Sequence, residues 1–189
     1  MYKIAFTGPT GSGKTTARAA LLHECEQHQV RAASLRLAEP LYQLQNIVYT
    51  YAGRPLAVPG MQDGALLASL AGHLRRIAPD AITDNFAARL ANLEASGAVD
   101  LVICEDLRRP DLPAMRRLGF VVAEIATPQE QRHERLAHRG DITPVDEAHE
   151  YERPLGDRAD YHIDNTGSQD ALRRKIAQLL IDLSSLSRR

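Results

Sequence analysis

The sequence predicts a three-layer α/β/α fold with a five-stranded parallel sheet and a helical lid. Three observations predict it. Apolar runs of strand length alternate with helix-period patterns along the 189 residues, as a parallel sheet flanked by helices requires. A glycine-rich loop stands between the first such run and the first helix pattern. The run at residues 99–104, which ends Leu101-Val102-Ile103-Cys104, has the hydrophobicity of a strand buried on both faces. The length fits one domain, residues 1–189, and a 44% hydrophobic content is ample for one core.

The first strand is expected over residues 2–7 and the first helix over 13–29. A second strand is expected over 30–38. A longer helical region follows, broken at Gly53-Arg54-Pro55 and Pro59-Gly60, with helices resuming over 64–77 and 80–96 around a break at Pro79. The buried strand at 99–104 comes next, then a strand at 120–125 and a charged helix at 128–138. Residues 140–156 are polar and rich in loop formers. A short strand at 161–163 precedes a closing helix over 168–186, with Ser168 as its expected N-cap.

Composition excludes several classes. A formal net charge of −1 offers no duplex-sized basic surface, so a nucleic-acid partner is not expected. No apolar run approaches the roughly 20 residues needed to cross a bilayer, so no membrane partner is expected. Met1 to Phe6 run straight into the glycine loop without a signal-peptide layout, and a cytoplasmic location is expected. Cys25 and Cys104 form no C-x-x-C pair and read as reduced structural thiols. His133, His138 and His149 lack metal-helix spacing and read as surface residues. Tyr42, Tyr49 and Tyr51 suit either stacking on a base or packing of an amphipathic helix, and packing is preferred.

The chemistry concentrates in Gly8-Pro9-Thr10-Gly11-Ser12-Gly13-Lys14-Thr15, a full match to G-x-x-x-x-G-K-[ST] between a strand and a helix. Glycines allow the backbone to wrap an anion with its N–H groups inward, and the helix N-terminus favours phosphate. Lys14 is expected to reach the β- and γ-phosphates, and Thr15 to ligate Mg²⁺. Gly8, Gly11, Ser12, Gly13, Lys14, Thr15 and Thr16 are the candidate nucleotide contacts. Ligands of open α/β sheets lie beyond the carboxyl ends of the strands. Glu105 and Asp106 follow the third strand there, and one can hold the Mg²⁺ shell; Asp106 is the candidate. Arg108 and Arg109 would face an anionic substrate. Arg132, Arg135 and Arg139 share one face of the charged helix and its end.

These residues give the chain a resemblance to bacteriophage-type deoxynucleoside monophosphate kinases, within the nucleoside monophosphate kinase-like P-loop group. Leu37-Ala38-Glu39-Pro40-Leu41 resembles that family's A-D-P-L segment, with Glu39 in place of an aspartate. Glu105-Asp106-Leu107-Arg108-Arg109-Pro110 resembles its D-D-x-R-x-P segment. Tyr161 to Gly167 resembles its Y-x-I-D-N-x-G ending, and His149-Glu150 resembles its H-P-S-E segment loosely. The resemblance implies transfer of the γ-phosphoryl of ATP, with Mg²⁺, to a nucleoside 5′-monophosphate. Lys14, Asp106, Arg108, Arg135 and Arg139 would act in catalysis. Glu39, Arg108 and either Arg75 or Arg76 would hold the acceptor, between substrate-binding helices at 40–97 and a lid at 128–156. Leu35-Arg36-Leu37, Asp106 to Arg109 and the I-D-N-x-G ending also resemble animal-type phosphomevalonate kinases, so a non-nucleotide phosphate ester is an alternative acceptor. A nucleotide switch or assembly NTPase is a further alternative, against which the lid and acceptor arginines argue. The sequence leaves monomer and homodimer both open.

Overall fold

β1 (Tyr2–Thr7) shows how the sheet divides the chain: Ile4 and Phe6 enter one hydrophobic layer and Ala5 the opposite one. The same period-2 division holds in β3 (Leu101–Cys104) and β4 (Val121–Ala126), because successive side chains of a strand point to opposite faces. The computed structural model describes residues 1–57, 61–138, 140–143 and 152–186. Within them, β2 (Ala32–Leu35) and β5 (Tyr161–Asp164) complete a five-stranded parallel sheet of order β2-β3-β1-β4-β5. The expected α/β/α architecture is therefore present.

One face of the sheet is covered by α1 (Lys14–Gln27) and α7 (Gln169–Leu186). Ala17, Leu21 and Cys25 of α1 meet Leu172, Ile176 and Leu179 of α7 there. The other face carries α2 (Glu39–Tyr51), α3 (Gly64–Ile77), α4 (Ala81–Ser96) and α5 (Leu112–Arg117), joined through Leu41, Ala71, Phe86 and Met115. α6 (Gln129–Ala137) follows β4 and lies against the glycine loop, where a Cβ on Gly11 would come within 3.2 Å of the Arg132 Cβ. With β1 central and its following helix on the face opposite α2 to α5, a crevice opens beyond the carboxyl ends of β1 and β3.

Three expectations need correction. The second strand stops at Leu35 and not at 38, because the N–H groups of Leu37 and Ala38 donate to the carboxylate of Asp106 (2.8 and 2.9 Å) and so leave the ladder. A helix over Leu112–Arg117 is not among the expected elements; Pro113 is tolerated there because it stands in the first helical turn, where its missing N–H has no intrahelical partner. The first helix ends at Gln27. Gln29 adopts a left-handed conformation (φ 56°), its N–H donates to the carbonyl of Glu26 (3.2 Å), and the Val30 N–H donates to that of Cys25 (2.8 Å). This pair of bonds closes a Schellman motif, a position that glycine normally fills. Ser168 does cap the last helix, accepting from the Ala171 N–H (3.2 Å).

A left-handed conformation costs a non-glycine residue about 1–2 kcal/mol. Gln29→Gly is therefore expected to raise the unfolding free energy by about 1 kcal/mol, read as a higher denaturation midpoint at unchanged slope. An unchanged or lower midpoint would show that the Gln29 side chain contributes what its backbone costs.

Candidate functional site

The glycine loop leaves β1 at Gly8 and enters α1 at Lys14. Gly8 (φ 133°) packs so closely that a Cβ would lie 2.4 Å from the Ile125 carbonyl oxygen, and one on Gly13 (φ 100°) would lie 2.3 Å from Asn165 Nδ2. Neither position accepts a side chain. Gly13 caps α1 with no side-chain hydrogen bond, so first-turn N–H groups are left for a ligand at the helix's positive end. Lys14 Nζ curls back onto the carbonyls of Gly8 (2.7 Å) and Pro9 (2.9 Å).

Side chains from distant elements grip the loop's outward carbonyls. Asn165 Nδ2 (2.8 Å) and Thr127 Oγ1 (2.9 Å) donate to the Ser12 carbonyl, and Arg132 Nη1 donates to that of Thr10 (3.1 Å). Arg135 reaches the carbonyls of Asn165 (3.1 Å) and Gly11 (3.5 Å).

Two cavities meet above this loop. The larger, about 540 Å³, is lined by Gly11, Gly13, Lys14, Thr15 and Thr16, with Arg135 and Asn165. The smaller, about 130 Å³, has apolar walls from Leu41, Leu67, Ala71 and Ile82, with Arg75, Asp111 and Glu152 among its polar members. Tyr42, Gln62, Asp106 and Arg108 line both, so they form the junction.

Asp106 reaches the junction, where its carboxylate also holds the turn between β2 and α2 and accepts from the Cys104 thiol (3.4 Å). Burial pushes that thiol far above the ordinary cysteine range. Burial, with Glu24 and Glu26 nearby, likewise lifts Cys25 to about 11, so neither cysteine is a thiolate near neutral pH. Glu105 is buried in ion pairs with Arg36 (2.9 Å) and Arg18 (3.2 Å) and lines the larger cavity. Thr15, Glu105 and Asp106 thus offer hard oxygen donors in one cavity. Among the described residues no group of three or more His, Cys, Asp or Glu could hold a metal by itself. That donor set suits Mg²⁺, which takes one or two carboxylates plus substrate phosphates and retains water.

Arg75 and Arg76 separate clearly. Arg75 lines the smaller cavity and donates through Nη2 to both oxygens of Asp111 (2.8 and 2.9 Å), whereas Arg76 is exposed and meets His73. The helical period would have distinguished them, since Arg75 continues the buried Gly64 and Ala71 stripe. Glu39 opens α2 but is not among the residues lining either cavity. Arg132 is buried behind the loop and does not line the larger cavity, while Arg135 does. Arg139, His149 and Glu150 lie outside the described residues, as does the rest of 144–151 within the expected lid.

The preference for packed tyrosines is corrected. Tyr42 lines both cavities beneath the Arg36 guanidinium, which is 5.8 Å from its ring centre. Tyr49 donates to Asp63 (2.7 Å), and Tyr51 is 94% exposed. The buried stripe of α2 runs through Leu41 and Gln45, and Tyr42 lies one residue, about 100°, off it.

Glu152 was missed altogether. It is 6% exposed; its Oε2 accepts from Thr10 N–H (2.6 Å) and Thr10 Oγ1 (2.9 Å), and its Oε1 lies 2.5 Å from Arg108 Nη1. No local motif marks it, because its partners are far away in sequence.

Burial raises the Asp111 carboxyl above its ordinary range, and Arg75 opposes that rise. In Arg75→Ala the rise goes unopposed by that partner. An acid whose pKa is raised on folding contributes most stability below its unfolded value and loses it as pH climbs through the folded one. The variant is therefore expected to lose about 3 kcal/mol at pH 7 and clearly less at pH 4, measured by denaturant unfolding. Arg76→Ala should stay within about 0.5 kcal/mol of the parent at both. Equal losses at the two pH values would mean that Asp111 does not depend on Arg75.

No protein-family model matches the chain, and no curated protein matches it. Solved structures do. The Mycobacterium tuberculosis APS kinase in complex with AMPPNP and APS is similar over 97% of each chain, at 20% identity and a TM-score of 0.54. The shikimate kinase of Acinetobacter baumannii in complex with shikimate is similar over 96% of this chain and 94% of its own, at 18% identity and a TM-score of 0.51. The protein TT1252 of Thermus thermophilus is similar over 96% and 97%, at 24% identity and a TM-score of 0.53. Likeness at this level shows the fold: the chain has the three-layer architecture of P-loop kinases.

Proposed function

We propose that the protein is a nucleotide-dependent small-molecule kinase that transfers the γ-phosphoryl of ATP to a nucleoside or deoxynucleoside 5′-monophosphate. The observation that carries this reading is the junction: a phosphate loop with Lys14 and Thr15 opens onto one cavity, a second cavity with cationic and apolar members adjoins it, and Arg108 lines both. A switch NTPase has no need of the second cavity.

Gly8, Gly11, Ser12, Gly13, Lys14, Thr15 and Thr16 would hold the triphosphate. Thr15 and Asp106 would hold Mg²⁺, which neutralises phosphate charge when bound. Arg135 faces the donor cavity and would stabilise charge on the transferring group. Arg139 is assigned the same role from its sequence position. Arg108 would grip the acceptor and Arg75 would shape its cavity with Asp111, whereas Glu39, which lines neither cavity, keeps no part in this reading. A phosphate acceptor is already anionic, so positioning and charge neutralisation would supply most of the rate.

One observation favours a second reading. The acceptor-side cavity is about 130 Å³ and largely apolar, and one similar solved structure holds shikimate, a compact acid that is not a nucleotide. A compact non-nucleotide acceptor, phosphomevalonate included, fits those facts as well.

ADP release is expected with at least one nucleoside monophosphate in a panel that includes phosphomevalonate and shikimate. Release above background only with the non-nucleotide compounds selects the second reading, and none with any acceptor removes the kinase. Lys14→Ala is expected to slow transfer by ~10³-fold or more in a folded protein. Arg108→Ala should raise the acceptor KM far more than the ATP KM, with only partial rescue by Lys, which lacks the planar fork.

A further inference from the structure

The Glu152 carboxylate is held as a bound oxyanion would be. A glycine-loop N–H, the Thr10 hydroxyl and the Arg108 guanidinium all converge on it at 2.5 to 2.9 Å. Burial pushes this carboxyl up, yet Arg108, Lys14 and the two Thr10 bonds together bring it below the ordinary range, so it is ionised near neutral pH. Glu152 lines the smaller cavity, while its partners Thr10 and Arg108 line the larger one. The carboxylate therefore stands in the passage between the two. Arg75 is engaged with Asp111 instead.

We propose that Glu152 occupies the seat of the acceptor's own anionic group, a phosphate monoester or similar dianion, which Arg108 and Thr10 bind once the carboxylate has left. This rests on the phosphotransfer reading and sharpens it, because it adds Thr10 and its loop N–H to Arg108 as the grip on the acceptor's anion. Two physical facts carry it. A phosphate dianion beside a fixed carboxylate in a partly desolvated passage is repelled, so both cannot hold Arg108 together. The donors on Glu152 are also those that recognise phosphate: a loop N–H, a hydroxyl and a guanidinium. The chain permits the exchange. Leu155 and Gly156 are moored through their N–H groups to the buried Glu124 carboxylate (2.5 and 3.1 Å), with only Arg153 and Pro154 between that mooring and Glu152. Withdrawal of Glu152 therefore need not break the mooring of Leu155 and Gly156.

Calorimetric titration of the nucleotide-free protein with inorganic phosphate tests the proposal. Glu152→Gln is expected to bind phosphate at least tenfold more tightly than the parent, and adding Arg108→Ala should abolish the gain. Unchanged or weaker binding by a folded Glu152→Gln would overturn the proposal and make the carboxylate a strut for the loop. A crystal of the unaltered protein soaked in sulfate gives an independent answer. Sulfate on Thr10 N–H and Arg108 with Glu152 displaced supports the seat; Glu152 still on Thr10, with sulfate only elsewhere, overturns it. Neither measurement needs turnover. A silent acceptor panel would remove the kinase reading and leave the anion seat standing, whereas unchanged phosphate affinity removes the seat and leaves the panel's result untouched.

Discussion

The structure depends on holding the backbone of the glycine loop in one tight shape, with Gly8, Gly11 and Gly13 all at positive φ. Parallel peptide dipoles crowded in a tight loop repel one another, so the loop needs restraint from outside. Here the restraint is applied to the carbonyl side of its peptides. Asn165 and Thr127 hold the Ser12 carbonyl, Arg132 holds that of Thr10, and Arg135 reaches that of Gly11. These partners come from β4's end, α6 and the turn after β5. The sheet order, with β1 beside β4 and β4 beside β5, is what brings them within reach. Arg132 illustrates the economy: a residue that reads as a lid arginine works from behind the loop, buried, as a donor to its backbone.

The same logic governs the acidic end of β3. Asp106 and Glu105 sit where metal-binding carboxylates would be needed, and both are already engaged. Asp106 closes the β2–α2 turn through two backbone N–H groups, and Glu105 is paired with Arg18 and Arg36. A carboxylate has about four lone-pair sites, so neither commitment exhausts its capacity. Asp106 thereby couples the junction to the start of α2, whose Leu41 and Tyr42 line the smaller cavity. A group bound at the junction would bear on the wall of the smaller cavity through that one side chain.

What the sequence disclosed follows from the range of each interaction. The glycine loop, the β1 and β3 strands and the Ser168 cap are specified by neighbours within a few residues and were readable. The Schellman ending at Gln29 was missed because glutamine does not advertise a left-handed backbone. The α5 helix was missed, and a proline's meaning there depends on its position in the turn. Arg75 and Arg76 were left unresolved although helical phase separates them. Glu152 lies beyond the reach of any such reading. Its partner Thr10 is 142 residues away, and only the folded sheet puts the two together. Its nearest neighbours in sequence carry no hint of an anion-binding loop.

The two cavities also differ in what builds them, and the difference bears on how such a fold changes its acceptor. The larger is made from loop backbone and the first turn of α1, where gaining a side chain at Gly8 or Gly13 would collide with main-chain or buried side-chain atoms. The smaller is walled mostly by side chains of α2, α3 and α4, among them Leu41, Leu67, Ala71 and Ile82. Replacing Leu41, Leu67 or Ala71 alters the shape of that wall and leaves the phosphate loop untouched. Solved structures at 18 to 24% identity share the architecture, and two of them hold APS and shikimate. A fold in which the fixed chemistry is carried by backbone and the variable recognition by side chains permits that divergence. On the phosphotransfer reading proposed above, the acceptor is accordingly to be sought in the helical wall and at Arg108, and not in the glycine loop.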